Sequence, residues 1–264
     1  MAHSPTLNVI IGAARKAARA LVRDFGEVEQ LQVSQKGPAD FVTNADLKAE
    51  KTLVHELRHA RPDYGVIAEE GGVQHGADPR HYWIIDPLDG TLNFMHGLPH
   101  FAISIALARE GEIIAGLVYN PVSDDMYVAE KGQGAYLNNR RLRVSGRRDL
   151  RQAMLATGIP YHARPGHAQF LREMEALMPE VAGIRRLGSA ALDLAFVAAG
   201  RFDGFWESHL KPWDIAAGIL LVREAGGFVT ETGGGDRMLE SGNVLAANDH
   251  LHGAIAKLLP SSRA

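Results

Sequence analysis

The sequence contains no cysteine. Disulfides, thiolate zinc sites, iron–sulfur clusters and a cysteine nucleophile are therefore excluded together, and any metal must be held by oxygen or imidazole. An excess of one charge is missing too: 28 Lys+Arg stand against 31 Asp+Glu, a formal net charge of −3, so nothing attracts nucleic acid or anionic lipid globally. No apolar run approaches the ~20 residues that a bilayer span needs. The opening Met1-Ala2-His3-Ser4-Pro5 lacks the charged start, apolar stretch and cleavage site of a secretory signal, and a cytoplasmic location is expected. Internal repeats, low-complexity tracts and long polar linkers are also absent.

What is present is a 264-residue chain with 46% hydrophobic residues, enough to bury about three quarters of its unfolded surface. Ser4-Pro5 reads as an N-cap and first helical residue. Leu7, Ile10, Ala14, Ala17 and Leu21 then recur at helical spacing up to Gly26. A second helix is expected over 44–59, with Asp46 in its first turn and Leu47, Leu53, Val54 and Leu57 on one face. Short apolar runs at 65–68, 82–85, 101–108, 113–119 and 126–129 read as strands. From about residue 150 strands and helices alternate. The expected organisation is one compact unit with an α+β half over 1–145 and an α/β half over 146–264.

Chemistry concentrates at Trp83-Ile84-Ile85-Asp86-Pro87-Leu88-Asp89-Gly90-Thr91-Leu92-Asn93-Phe94. An apolar strand delivers two carboxylates three residues apart into a Pro/Gly turn that opens a helix, where backbone N–H groups of Gly90 and Thr91 can meet phosphate oxygens. Carboxylates beside a phosphate repel it unless a hard cation lies between them. Three further segments place carboxylates at the ends of elements: Asp46 behind Asp40-Phe41-Val42-Thr43, the pair Glu69-Glu70 before Gly71-Gly72, and Asp214 in Trp213-Asp214-Ile215-Ala216-Ala217-Gly218.

These four segments, in this order and with Glu224-Ala225-Gly226-Gly227 following the last, resemble the magnesium-dependent phosphatases of the inositol monophosphatase family, nearest to its bacterial branch. The resemblance spans nearly the whole chain. Leu92, where many members carry Thr, is the visible departure. The resemblance implies a layered αβαβα sandwich and usually a homodimer. It implies a first metal on Glu69, Asp86 and the carbonyl of Leu88, a second on Asp86, Asp89 and Asp214, and a weaker third near Glu69. The ions would be Mg²⁺, with Mn²⁺ equally acceptable to oxygen ligands, and lithium would inhibit. Asp46 and Thr91 would activate the attacking water, with Glu70 supporting it. Gly188, Ser189, Ala190 and Glu207 match positions facing the sugar-like part of the substrate, with Asp89 contributing a carboxylate to a hydroxyl; Gly90 and Thr91 complete the substrate-binding set at the phosphate.

The substrate expected from this resemblance is a myo-inositol monophosphate. Fructose 1,6-bisphosphate, histidinol phosphate and 3′-phosphoadenosine 5′-phosphate are the enzymatic alternatives. An alternative of another class is a regulatory scaffold that binds RNA or a transcription component through Arg140, Arg141, Arg143, Arg147, Arg148 and Arg151, beside a hairpin turn at Asn138-Asn139. His96 and His100 read as wall or helix-end residues, and Gly233-Gly234-Gly235 as a turn rather than a phosphate loop.

Overall fold

The computed structural model describes residues 3–27, 33–37, 40–161 and 165–259, with side chains excluded for 33–37 and 40–42; Met1 and Ala2 lie outside it. Helix α1 (Pro5–Phe25) begins where Ser4 accepts the Leu7 N–H. A two-stranded ladder, β1 (Val33–Gly37) with β2 (Asp40–Thr43), leads into α2 (Asn44–Ala60). The large sheet follows: β3 (Tyr64–Ala68), β4 (Gly72–Gln74), β5 (Asp78–Asp89), the single turn α3 (Thr91–Met95), β6 (Ala102–Arg109), β7 (Glu112–Asn120), β8 (Asp125–Glu130), β9 (Gly134–Leu137) and β10 (Arg140–Arg141). Its strand order is β10-β9-β8-β7-β6-β5-β3-β4, antiparallel except for the β3–β5 pair.

The second half contains β11 (Met154–Thr157), α4 (His167–Leu177), β12 (Gly183–Arg185), α5 (Ala190–Ala198), β13 (Gly204–Glu207), α6 (Pro212–Glu224), β14 (Phe228–Thr230), α7 (Met238–Ser241), β15 (Val244–Ala247) and α8 (Asp249–Leu258). Its sheet runs β12-β11-β13-β15-β14. No helix among the described residues is long and apolar enough to cross a membrane.

Strand alternation sorts the layers. On β5 and β6, Trp83, Ile85, Ile103, Ile105 and Leu107 pack with α1 and α2, whereas Ile84, Ala102 and Ala106 face α5 and α6. The small residues on that second face let a helix come close: a Cβ added to Gly116 of β7 would lie 3.1 Å from Ala217 Cα. Helices α5 and α6 are buried nearly all round because both sheets cover them, which explains why they are apolar almost throughout, Asp193 of α5 excepted. Leu177, Trp206, Leu251 and Ile255 form a third cluster under α4 and α8. The layers are helix, sheet, helix, sheet, helix, the sandwich expected.

One expectation fails locally. Leu47 is 48% exposed, and the inward stripe of α2 is Ala45, Asp46, Ala49, Glu50, Leu53 and Leu57. Two carboxylates that serve the site occupy the face that hydrophobicity alone assigned to Leu47. The hairpin turn at Asn138-Asn139 is as expected, with both residues at positive φ (45° and 69°) joining β9 to β10.

Candidate active site

Residues 86 and 89 of a regular strand would point to opposite faces, since side chains alternate. The β5–β6 ladder pairs Asp86 with Ser104 but Asp89 with Ala102, so one extra residue is bulged out between them. Pro87, which has no N–H for the ladder, lies in that bulge. The bulge brings both carboxylates to one cleft, of about 200 Å³, which Glu69, Thr91 and Asp214 also line. Asp86 is 2% exposed and accepts the Leu88 N–H at 2.9 Å. Burial lifts its carboxyl well above the usual range, and repulsion from Glu69, Asp89 and Asp214 adds to the lift.

Asp89 accepts from the Ser189 hydroxyl at 2.6 Å and from the Ala191 N–H at 2.8 Å. Burial raises it to about 6 against those hydrogen bonds. Ser189 also caps α5, so its helix-capping role and its place at the site are one arrangement. Asp214 reaches the cleft from the first turn of α6, where it accepts the Lys211 N–H at 2.8 Å. The Ser104 hydroxyl donates to the Trp213 carbonyl at 3.1 Å, pinning that helix start beside the strand position that faces Asp86.

Gly90 has φ +96°, a left-handed turn that swings the chain from β5 into α3. Thr91 Oγ1 then lies 3.2 Å from Asp46 Oδ1 and 3.1 Å from the Leu88 carbonyl oxygen; its single proton serves one of them at a time. Asp46 is fully buried, and its other oxygen accepts the Thr43 N–H at 2.9 Å and the Thr43 hydroxyl. Burial raises Asp46 above its ordinary range; the Thr43 hydrogen bonds oppose this and Glu70 reinforces it. At one turn, α3 carries little macrodipole, so an anion at its start would meet local amides rather than a helix field.

Among the described residues no three acidic or histidine side chains already form a cage for an ion. Asp89 and Asp214 each direct an oxygen to donors of the protein. The donor set nevertheless fits a hard divalent cation: four carboxylates and a backbone carbonyl line one cleft, and Asp86 is raised by the other three carboxylates.

Gly188, Ser189, Ala190 and Glu207 all line the same cleft. Glu207 lies flat on Gly158: a Cβ added there would fall 2.0 Å from Glu207 Oε1. Sequence reasoning missed several participants. Glu50 accepts the Glu70 N–H at 2.8 Å, and its spacing of one helical turn from Asp46 was the available signal. Asn93 donates from one amide nitrogen to the His100 and Leu187 carbonyls, 2.8 Å each, tying α3 to the loop before α5. Arg186 and Asp193 line the cleft and had no signal in one sequence. His96 ends α3, and His100 packs edge-on against Phe196; neither lines the cleft. All six arginines of the 140–151 segment are exposed, with Arg147 paired to Asp203 and Arg151 to Asp149.

Residues 2–264 match the model of the inositol monophosphatase family. The chain belongs to that family. An inositol-1-monophosphatase of Rhizobium meliloti is 55% identical over 259 residues, covering 98% of this chain and 97% of the relative. The extragenic suppressor protein suhB of Bartonella henselae, a solved structure, superposes with TM-score 0.95 at 54% identity, covering 98% of this chain and all of that one. The Nus factor SuhB of Escherichia coli K12 is 47% identical over 244 residues, 92% of this chain and 91% of the relative. Membership in this family makes the chain a phosphatase, a phosphoric monoester hydrolase.

Proposed function

We propose that the chain hydrolyses myo-inositol monophosphate to inositol and phosphate with magnesium in the cleft. The observation that carries this is the convergence of Glu69, Asp86, Asp89 and Asp214 on the same cleft as the Thr91–Asp46 pair, with Glu207 on its alcohol side. Glu69, Asp86, Asp89, Asp214 and the Leu88 carbonyl oxygen would hold two or three ions, Mn²⁺ substituting for Mg²⁺. When bound, such ions supply a Lewis acid that acidifies water and positive charge for the phosphoryl oxygens and the leaving alkoxide.

The chain's own residues do the rest. Thr91 Oγ1 takes a proton from the attacking water as it passes its own to Asp46 Oδ1. Burial makes Asp46 a stronger base than an exposed carboxylate. Glu70, anchored through its N–H by Glu50, supports the water network. Water attacks phosphorus in line, the ester P–O bond breaks, the departing alkoxide takes a proton from solvent water and Asp46 returns its own to solvent; no phosphoenzyme is needed. Glu207 accepts hydrogen bonds from the polyol hydroxyls. A homodimer, inhibition by lithium, a cytoplasmic location and a two-half organisation divided near residue 145 complete the reading.

The direct test is phosphate release with and without Mg²⁺, comparing kcat/KM for D- and L-myo-inositol 1-phosphate, fructose 1,6-bisphosphate, histidinol phosphate and 3′-phosphoadenosine 5′-phosphate. The inositol phosphates should lead, and removal of Mg²⁺ should abolish release. Another phosphate in the lead overturns the substrate assignment.

A pH dependence follows from Asp89. Below about 6 its carboxyl holds a proton that a cation must displace. The Mg²⁺ concentration for half-maximal rate should therefore rise as pH falls through 6, by up to about tenfold per pH unit for one proton released. Calorimetric titration with Mn²⁺ at pH 5 and 7.5 checks this independently of turnover; equal affinities would contradict it.

Likeness to the Nus factor SuhB favours a second role beside turnover. Under it, the exposed Arg140, Arg141, Arg143 and Arg148 engage RNA or a transcription component, away from the cleft.

A further inference from the structure

We infer that Asp193 is a specificity-determining residue, reading a hydroxyl of the substrate's alcohol portion opposite Glu207. The inference deepens the proposed reaction and rests on it for the choice of substrate.

Asp193 sits one turn into α5, on the helix whose first residues hold Asp89, and it lines the cleft. It is 1% exposed, yet its Oδ1 has no hydrogen-bond partner among the described residues. An unpartnered buried carboxyl oxygen costs far more than a paired one, so a position that keeps it needs a partner from outside the fold. The groups that act on Asp193 are Glu207 and Asp89, which repel its charge, and Arg186, which favours it.

That environment selects the partner's chemistry. A second phosphoryl group at Asp193 would meet three carboxyl groups, those of Asp89, Asp193 and Glu207, against the single cation Arg186, a balance that disfavours it. An apolar group would leave Oδ1 unpaired. A hydroxyl both donates and accepts, so it satisfies Oδ1 whether or not Asp193 carries a proton. Asp193 and Glu207, both lining the cleft, together thus present two acceptors to a polyol.

The test compares wild type, Asp193→Ala and Asp193→Asn on myo-inositol 1-phosphate and on p-nitrophenyl phosphate, whose leaving group has no hydroxyl beyond the ester oxygen. Asp193→Ala should lower kcat/KM for the inositol phosphate about tenfold to a hundredfold, chiefly through KM, and leave p-nitrophenyl phosphate hydrolysis within about twofold. Asp193→Asn, which keeps an acceptor oxygen, should recover part of the loss. Parallel loss on both substrates in both variants, or no loss on either, overturns the inference. If wild type ignores inositol phosphate but cleaves fructose 1,6-bisphosphate, the substrate assignment fails and the same comparison on that sugar decides Asp193.

Discussion

Asp89→Asn is expected to reduce phosphate release about a thousandfold while the melting temperature of the substrate-free protein holds or rises. The two halves of this result have different causes. Asparagine keeps a carbonyl oxygen for the Ser189 hydroxyl and the Ala191 N–H, so the start of α5 stays in place. It removes one charge from a cleft in which Asp86 and Asp89 are already lifted by burial and by repulsion from neighbouring carboxylates, Glu69 acting on both. The folded-state value near 6 for Asp89 exceeds the ~3.9 of an unfolded chain. Ionisation above pH 6 therefore costs the fold stability, a cost that asparagine lacks. Catalysis loses a ligand for a cation whose contribution to the barrier is several kcal/mol, at about 1.36 kcal/mol per tenfold. Binding to RNA or a transcription component through the arginine segment should be unaffected, which separates the two roles. Turnover at the wild-type rate would remove Asp89 from the site.

Gly90→Ala has the second largest expected effect, and it acts through the backbone. At φ +96° a side chain is strained, and the added Cβ would lie 3.0 Å from the His100 carbonyl oxygen and 3.3 Å from that of Gly188. Both neighbours are backbone and cannot rotate aside. Left-handed strain of about 1–2 kcal/mol plus this crowding gives a destabilisation of about 3 kcal/mol. A thermal melt should show a fall of about 6–10 °C. Because Gly90 aims the following Thr91 hydroxyl at Asp46, kcat should also drop, by roughly a hundredfold if Thr91 moves about 1 Å. A melting temperature equal to wild type would mean that the turn does not need glycine.

The two effects bear on how much a single sequence discloses. Carboxylates at element ends were legible because a solvated face has no reason to bring Asp86, Asp89 and Asp214 beside Pro, Gly and Trp in short motifs. The apolar runs of α5 and α6 were legible as helices, and their burial between two sheets accounts for the absence of a polar face. Less visible were groups whose role depends on distant partners. Glu50 and Asp193 look like ordinary helix charges until the fold turns them inward, and Leu47 looks like core until those charges displace it. The bulge at Pro87 that gathers Asp86 and Asp89 is a matter of pairing register, which local pattern does not encode. The short strands β4 and β12, three residues each without an apolar run, escaped because so few residues carry no period.

Asn93 couples two parts of the cleft wall. Its amide donates to the Leu187 carbonyl and so ties the turn that carries Thr91 to the segment that leads into Gly188 and Ser189. A mutation that reshapes the 187–190 loop to admit a new alcohol therefore tugs on the turn that carries Thr91. Under the proposed function, substrate range and speed are then mechanically linked, because a change at one end of this amide is felt at the other.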